Sequence, residues 1–261
     1  MSIYIAFHKP YPRLTDDPEY VGLHVGKALS QTELGMIGDN TGDHISEKNR
    51  NYSELTALYW LWKNNHDERV GLVHYRRYFF AKNPTWKMKL KKWGEALIGH
   101  YSRRFGVHYL TNSAAAELIL TGDEMNALMK NYDAVIPVRR KLRYSVYEQY
   151  ARKHHSSDLD MVRRIIGEQD ASYLDAFDVV MQQKQILHCN MFLMKRGLFD
   201  GYMSWLFAVL FELEKRIDIS GYDNYQKRIF GFLSERLLDV WLLKNNVNYT
   251  QLPVLYFKRI E

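Results

Sequence analysis

The sequence predicts an α/β layered fold with a central, mostly parallel sheet and a helical C-terminal half. Three observations carry that reading. The runs IYIAF at residues 3–7 and VGLV at 70–73 are apolar and rich in β-branched side chains, as strands buried on both faces require. Segments with apolar residues at i, i+3, i+4 and i+7 lie between and after them. The two kinds of segment alternate, which argues for helices layered on a largely parallel sheet.

Residues 3–7 form the first strand, with His8, Lys9 and Pro10 at its carboxyl end. Residues 22–42 are glycine-spotted and irregular. A helix begins near Asn51 or Ser53; Leu55, Leu58, Tyr59 and Trp62 share one face, and Asn64 and Asn65 end it. Residues 70–73 form the next strand, and residues 74–80 continue it. Thr121 with Glu124 has the spacing of a capping box and opens a short helix to Asn131. Residues 133–138 read as a buried strand stopped near Pro137. Residues 144–155 and 158–185 read as mostly helical, and CNMFLM at 189–194 as a strand. Two long helices over 197–217 and 224–244 and a strand over 251–257 complete the chain. No repeat or low-complexity linker divides it, so residues 1–261 read as one domain in three parts, 1–80, 82–104 and 105–261. In sheets of this kind ligands sit beyond the carboxyl ends of strands. That rule points to His8 and Lys9, to residues 74–77 and to the loop at 39–49.

The bulk properties exclude several classes. Of 261 residues, 46% are hydrophobic and 25% charged, which is globular usage and too apolar for a disordered chain. Aromatic residues reach 14%, with 19 Tyr, which suits surfaces that bind sugars or bases and equally suits core filling. Cys189 is the only cysteine, so no internal disulfide forms, and a reducing cytoplasm fits. MSIYIAFHKP lacks the basic region and long apolar run of a signal peptide, and no stretch of about 18 apolar residues reads as a membrane span.

The net charge is +6 and the isoelectric point near 9.1. Lys82, Lys87, Lys89, Lys91, Lys92, Arg103 and Arg104 face Glu95 alone, so the rest of the chain is close to neutral. The same segment carries Trp86, Met88, Leu90, Trp93, Leu97, Ile98 and Tyr101, a composition that docks on anionic membranes. A solvated basic helix and a nucleic-acid patch are the competing readings.

Four constellations could carry chemistry. In GLVHYRRYF a hydrophobic strand runs directly into Arg76 and Arg77, and strand alternation turns at least one of them inward. A buried guanidinium needs an anion, and a diphosphate matches its fork, although a core acid would also serve. DNTGDHISEKN, residues 39–49, offers Asp39, Asn40, Thr41, Gly42, Asp43, Ser46, Lys48 and Asn49 before a helix. These could hydrogen-bond a ribose or base, with Asp39 and Asp43 on a divalent cation, or simply build turns and a helix cap. KHHSSDLD brings His154, His155, Asp158 and Asp160 together as a metal site or a general base, although adjacent histidines diverge on a helix and do not share one metal, or as a helix junction capped by Ser157 or Asp158. In FLSERLLDVW, Arg236 falls within the buried arc of a core helix and Glu235 on its far side. Arg236 therefore pairs with an acid or reaches a ligand, and Glu235 is a base if its side faces the cleft. No P-loop, no dinucleotide-binding glycine motif, no H-E-x-x-H and no G-x-S-x-G occurs. Cys189 sits in an apparent buried strand, which argues against a thiol nucleophile.

Taken together, IYIAFHK, DNTGDHISEKN, YSELTALYWLWKN, VGLVHYRRYF, DAVIPVRRKLR, YEQYARKHHSSDLD, YLDAFDVVM, CNMFLMKRGLFDGYMSWLF and GFLSERLLDVWL span nearly the whole chain. They resemble a bacterial family found in capsular and exopolysaccharide clusters and long catalogued as a domain of unknown function. The resemblance implies a glycosyltransferase with a GT-A-like nucleotide-sugar fold, some members transferring galactofuranose. It makes 1–80 the nucleotide-binding part and 105–261 the acceptor and sugar part. Such enzymes usually hold manganese or magnesium on an Asp-x-Asp at a central strand end. Here that place is taken by His74, Tyr75, Arg76 and Arg77, so cationic side chains are expected to replace the ion. The resemblance further implies that His8, Lys9 and residues 39–49 line the nucleotide pocket and that Asn190 contacts the donor sugar. An inverting transfer needs a base, and Glu235, Asp158 and His154 are the candidates in that order. The expected partners are a UDP-sugar and a lipid-linked oligosaccharide, with no nucleic acid, and the expected place is the cytoplasmic face of the inner membrane, reached through 82–104. A non-catalytic basic polysaccharide- or nucleic-acid-binding module is the alternative, and it would lack a closed pocket. A phosphate-transferring enzyme is weakened by the missing P-loop.

Overall fold

The computed structural model describes residues 1–80, 101–104, 107–110 and 113–258. Strand β1 (Ser2–Phe7) is flanked in parallel by β2 (Tyr20–His24), which in turn pairs with the short β3 (Ile37–Gly38). On its other side β4 (Arg69–His74) also runs parallel. The chain continues through β5 (Arg77–Phe79), β6 (Tyr101–Arg104), β7 (Val107–Leu110) and β8 (Ala134–Pro137). A separate antiparallel pair joins β9 (Arg140–Lys141) to β10 (Gln185–Ile186). The last strands are β11 (Phe192–Lys195), β12 (Tyr249–Leu252) and β13 (Val254–Phe257). The central order is β3-β2-β1-β4-β11-β8-β12, in which β11 alone runs against the others. A ribbon β5-β13-β7-β6 continues from the end of β4.

The helices are α1 (Asn49–Tyr52), α2 (Leu55–Asn64), α3 (Gly122–Leu128), α4 (Val146–Ala151), α5 (Ser156–Asp170), α6 (Leu174–Gln182), α7 (Arg196–Arg216) and α8 (Ile229–Lys244). Thr121 and Glu124 close the expected capping box on α3, and Ser145 with Glu148 closes a second on α4.

The alternation of β1 explains why its sequence is apolar throughout. Ile3, Ile5 and Phe7 enter one core, while Tyr4 and Ala6 enter the other on the opposite face. Helices α2, α7 and α8 cover the second face. Trp62 of α2 stacks on Phe207 of α7 with ring centres 5.9 Å apart. Helix α8 is buried through most of its length, and its buried Asp239 pairs with Arg139 at 2.6 Å.

Several expected boundaries change: β2 forms partly within the stretch read as irregular, the helix expected from residue 224 begins at Ile229, and the helical stretch 158–185 is α5 and α6 followed by β10. Residues 74–80 do not prolong β4: the chain reverses over Tyr75 and Arg76, so that Arg77 pairs with His74 in an antiparallel β5. The single helix expected from Asn51 or Ser53 is two, broken at Ser53, whose φ of 52° no α-helix accommodates. The strand expected from Cys189 begins at Phe192, because Cys189 lies in the left-handed region with φ of 70°. The final strand is two strands joined through Pro253, which cannot donate to a ladder. Residues 82–100 of the basic aromatic segment lie outside the described residues. Among the described residues no helix is long and apolar enough to cross a membrane.

Candidate active site

The carboxyl ends of β1, β2 and β4 open on a cleft of about 720 Å³. Its walls include His8 after β1, Val25 and Gly26 after β2, and His74, Tyr75, Arg76 and Arg77 at the β4–β5 reversal. The start of α8 closes the opposite side with Arg228, Gly231, Phe232 and Glu235. Asn49, Arg50, Ser53 and Glu54, from the α1–α2 break, complete it. Gly26 is required here: its φ is 66°, and an added Cβ would lie 2.6 Å from the Asn49 side chain. A second cleft of about 590 Å³ adjoins the first and shares Arg77, Phe232 and Glu235 with it. Its further lining includes Arg140, Lys153, His154, His188, Cys189, Tyr225, Arg236 and Tyr256.

The tight reversal determines where the two arginines go. Arg76 occupies the turn, with its guanidinium 5.0 Å from the Tyr75 ring centre and 5.4 Å from that of Tyr256. Arg77, carried into β5, stands between the clefts beside Cys189, with Glu54 and Glu235 as the nearby acids. His74 is half-buried at the floor, and desolvation with the nearby Arg77 charge pushes its pKa down to about 4. His8 is shifted downward too, by burial and then by Lys9, Arg76 and Arg228. Both imidazoles are therefore neutral around pH 7, able to give or take one hydrogen bond each without adding charge.

Glu235 accepts a hydrogen bond from the Cys189 amide at 2.9 Å and lies 3.3 Å from Arg236. Burial raises its pKa above the usual carboxylate range, against the pull of Arg236. Arg236 is almost fully enclosed; it donates to Gln149 at 2.7 Å and sits 5.1 Å from the Tyr150 ring centre. It thus both pairs with an acid and borders the second cleft. His154 lines the second cleft, stacked on Phe232 at 4.3 Å and hydrogen-bonded to Gln226 at 2.9 Å. Asp158 is elsewhere: it is buried in the first turn of α5 and accepts from Tyr222 at 2.7 Å.

The loop at 39–49 divides. Asn49 reaches the first cleft, where its amide donates to the Ser53 carbonyl at 2.8 Å and to the Thr56 hydroxyl at 3.0 Å. Asp39 is fully buried beside it and accepts from the amides of Gly26 and Lys27 and from the hydroxyls of Ser46 and Thr56. Its carboxylate organises the loop that carries Gly26. Ser46 also accepts from the Ala28 amide. Thr41 receives the Trp60 indole, Asp43 receives the Tyr59 hydroxyl, and Gly42 packs on Asn64, all away from the cleft lining. Asn40 is exposed there as well. Lys48 pairs with Glu214 at 2.7 Å, and Lys9 stands 6.0 Å from the Tyr75 ring centre. Asn190 lies behind the lining, donating to Glu54 at 2.7 Å and accepting from Ser234 at 3.1 Å.

Glu54 and Arg228 went unmarked in the sequence. The only available signal for Glu54 was an acid at the head of a helix, and its partner Asn190 lies 136 residues away. Arg228 reaches Ser53 at 3.1 Å across 175 residues.

The strand end implied for a divalent ion does not suit one. Its side chains are an imidazole, a phenol and two guanidiniums. Among the described residues no three His, Cys, Asp or Glu side chains gather so as to hold a metal ion. The arrangement can place cations against a phosphate and a half-buried carboxylate against a hydroxyl.

A family model described as Domain of unknown function (DUF4422) matches residues 2–246. A solved apo structure of the WbbM bifunctional glycosyltransferase superposes with a TM-score of 0.86 at 28% identity, over 99% of this chain. The chain spans 45% of that one, so less than half of its length. No curated protein matches. The GT-A-like layered fold implied by the sequence is the fold found.

Proposed function

The chain belongs to the family described as Domain of unknown function (DUF4422), and on that premise we propose that it is a glycosyltransferase using a UDP-sugar donor. One observation carries the reading: a cationic cleft at the carboxyl ends of β1 and β4 meets a half-buried glutamate on its far wall. The likeness to part of a bifunctional glycosyltransferase supports it.

The donor lies in the first cleft, with its diphosphate against Arg76 and Arg77 and its nucleoside toward His8, Gly26 and Asn49. Guanidinium forks match phosphate oxygens and strengthen as the leaving group gains charge. Arg228, the residue before α8, faces the same space. Glu235 is the base. The acceptor oxygen bonds to the anomeric carbon as the bond from that carbon to the β-phosphate oxygen breaks. UDP leaves with the electron pair, and the hydroxyl proton passes to Glu235. A direct displacement of this kind inverts the anomeric centre. Asn190 acts indirectly, by holding Glu54 at the cleft.

The donor sugar is galactofuranose and the acceptor a lipid-linked oligosaccharide of surface polysaccharide synthesis, with 82–104 resting on the cytoplasmic membrane face. One domain serves these tasks, residues 1–80 for the nucleotide and 105–261 for the sugars.

The deciding experiment is UDP-sugar hydrolysis and UDP thermal shift, each with and without EDTA and manganese. The reading expects stabilisation by UDP and slow sugar release. Absence of both overturns it, and manganese-restored turnover after chelation overturns the role of the arginines.

A further inference from the structure

We propose that the second cleft is a saccharide acceptor site, with Tyr225, Phe232 and His154 as its stacking platform and His188 as a hydrogen-bonding residue beneath it. Its role as the acceptor site rests on the glycosyltransferase reading; its affinity for a sugar does not.

The platform is built from three rings. His154 stacks on Phe232 with ring centres 4.3 Å apart, and Tyr225 lies against the same Phe232 at 5.0 Å. Tyr225 is 53% exposed, which leaves much of its ring open. Flat, partly open rings in a cleft suit a ligand with an apolar face and a polar rim, which describes the C–H face and hydroxyls of a sugar ring.

His188 supplies the second, independent observation. It lines the same cleft, and neither ring nitrogen has a hydrogen-bond partner among the described residues. Buried polar atoms are rarely left so. Burial, with Arg77 and Arg140 nearby, pushes its pKa down to about 4, so the ring offers one donor and one acceptor. Both nitrogens are shielded from water as the ring stands, so the proposal includes a turn of the ring that presents one of them to the cleft. A sugar hydroxyl then gives that nitrogen a partner; an apolar ligand leaves it unsatisfied.

The shared wall gives the cleft its place in the reaction. Glu235 and Arg77 border both clefts, so a hydroxyl held in the second meets the base from one side while a donor in the first meets it from the other. Glu235 is also joined through the Cys189 amide to the segment that carries His188.

The test uses the full chain saturated with UDP and a panel of methyl hexosides, read by saturation-transfer NMR, with UDP affinity and thermal melting measured on every variant. At least one hexoside is expected to bind. Tyr225→Ala and His188→Ala should each weaken it about tenfold, as the loss of a stacking face or a hydrogen bond in a closed site implies, with UDP affinity unchanged. Tyr225→Phe, which keeps the ring, should bind as the parent does. The proposal falls if no hexoside binds, if every variant binds alike, or if UDP displaces the sugar. If UDP itself does not bind while the hexoside pattern holds, the second cleft stands as a saccharide site and the transfer reading falls.

Discussion

Arg77 and Glu235 lie on the wall between two clefts, and each borders both. One is delivered by a two-residue strand reversal and the other by the second turn of α8. A fixed cation and a half-buried carboxylate thus face the same boundary from different elements. Stabilising a leaving diphosphate and accepting a proton are separate tasks, and this placement lets them be tested separately.

Glu235→Gln keeps the shape of the side chain and removes its basicity. Turnover is expected to fall by roughly 10²–10⁴-fold with UDP affinity nearly unchanged. The folded-state pKa of Glu235 is raised above its unfolded value, so its ionised form detracts from stability once pH exceeds the unfolded value. The variant should therefore melt no lower than the parent at pH 7. Retained turnover in a UDP-sugar consumption assay would remove Glu235 from the mechanism.

Arg77→Ala should weaken UDP binding by roughly 10- to 100-fold, the worth of a charge-assisted hydrogen bond. Arg77→Lys should recover little, since an ammonium cannot make the two parallel bonds of a guanidinium. Calorimetry with UDP and with uridine separates the diphosphate from the nucleoside. Equal losses for both ligands would place Arg77 away from the phosphates.

The strands buried on both faces were legible because they must be apolar runs, as IYIAF and VGLV are, whereas β2, only partly buried and carrying Gly22, fell partly in a stretch read as irregular. Capping residues likewise announced α3. The HYRR reversal was not legible: Tyr75 and Arg76 carry none of the Gly, Asn or Pro signals by which turns are usually read. Ser53 breaks a helix at a positive φ of 52° that composition does not announce. The loop at 39–49 looked like a ligand site because Asx and hydroxyl residues build turns and bind ligands with the same atoms. The second cleft gathers Arg77, Arg140, His188, Glu235 and Tyr256, and only folding makes them neighbours.

The basic segment can be tested from its sequence. Replacing Lys87, Lys89, Lys91 and Lys92 with Gln should lower affinity for vesicles containing phosphatidylglycerol by roughly two to three decades, at about 1 kcal/mol per lysine near the surface. Flotation assays at low and high salt read the effect. Equal binding to neutral vesicles would defeat the electrostatic account.

Asp39→Ala should destabilise the fold by about 3 kcal/mol. It leaves two amides and two hydroxyls without their acceptor at a fully buried site. Urea unfolding measures this. UDP affinity should decline with it, because Gly26 and Asn49 are set by the same loop. A stable variant with lost UDP binding would instead make Asp39 a direct ligand contact.

The rate should depend on pH through Glu235, because a base acts only when ionised. Burial lifts its pKa, so the acid limb of kcat/KM should lie above the usual carboxylate range. The groups around it fix the direction in which variants move that limb. Arg236 favours the ionised form, so Arg236→Gln should push the limb to higher pH. Glu54 opposes it, so Glu54→Gln should draw the limb lower, although it also frees Asn190. Opposite displacements of one limb by two charge-neutralising variants cannot arise from a general loss of folding. A limb that moves in neither variant would show that another group, such as His154, takes the proton.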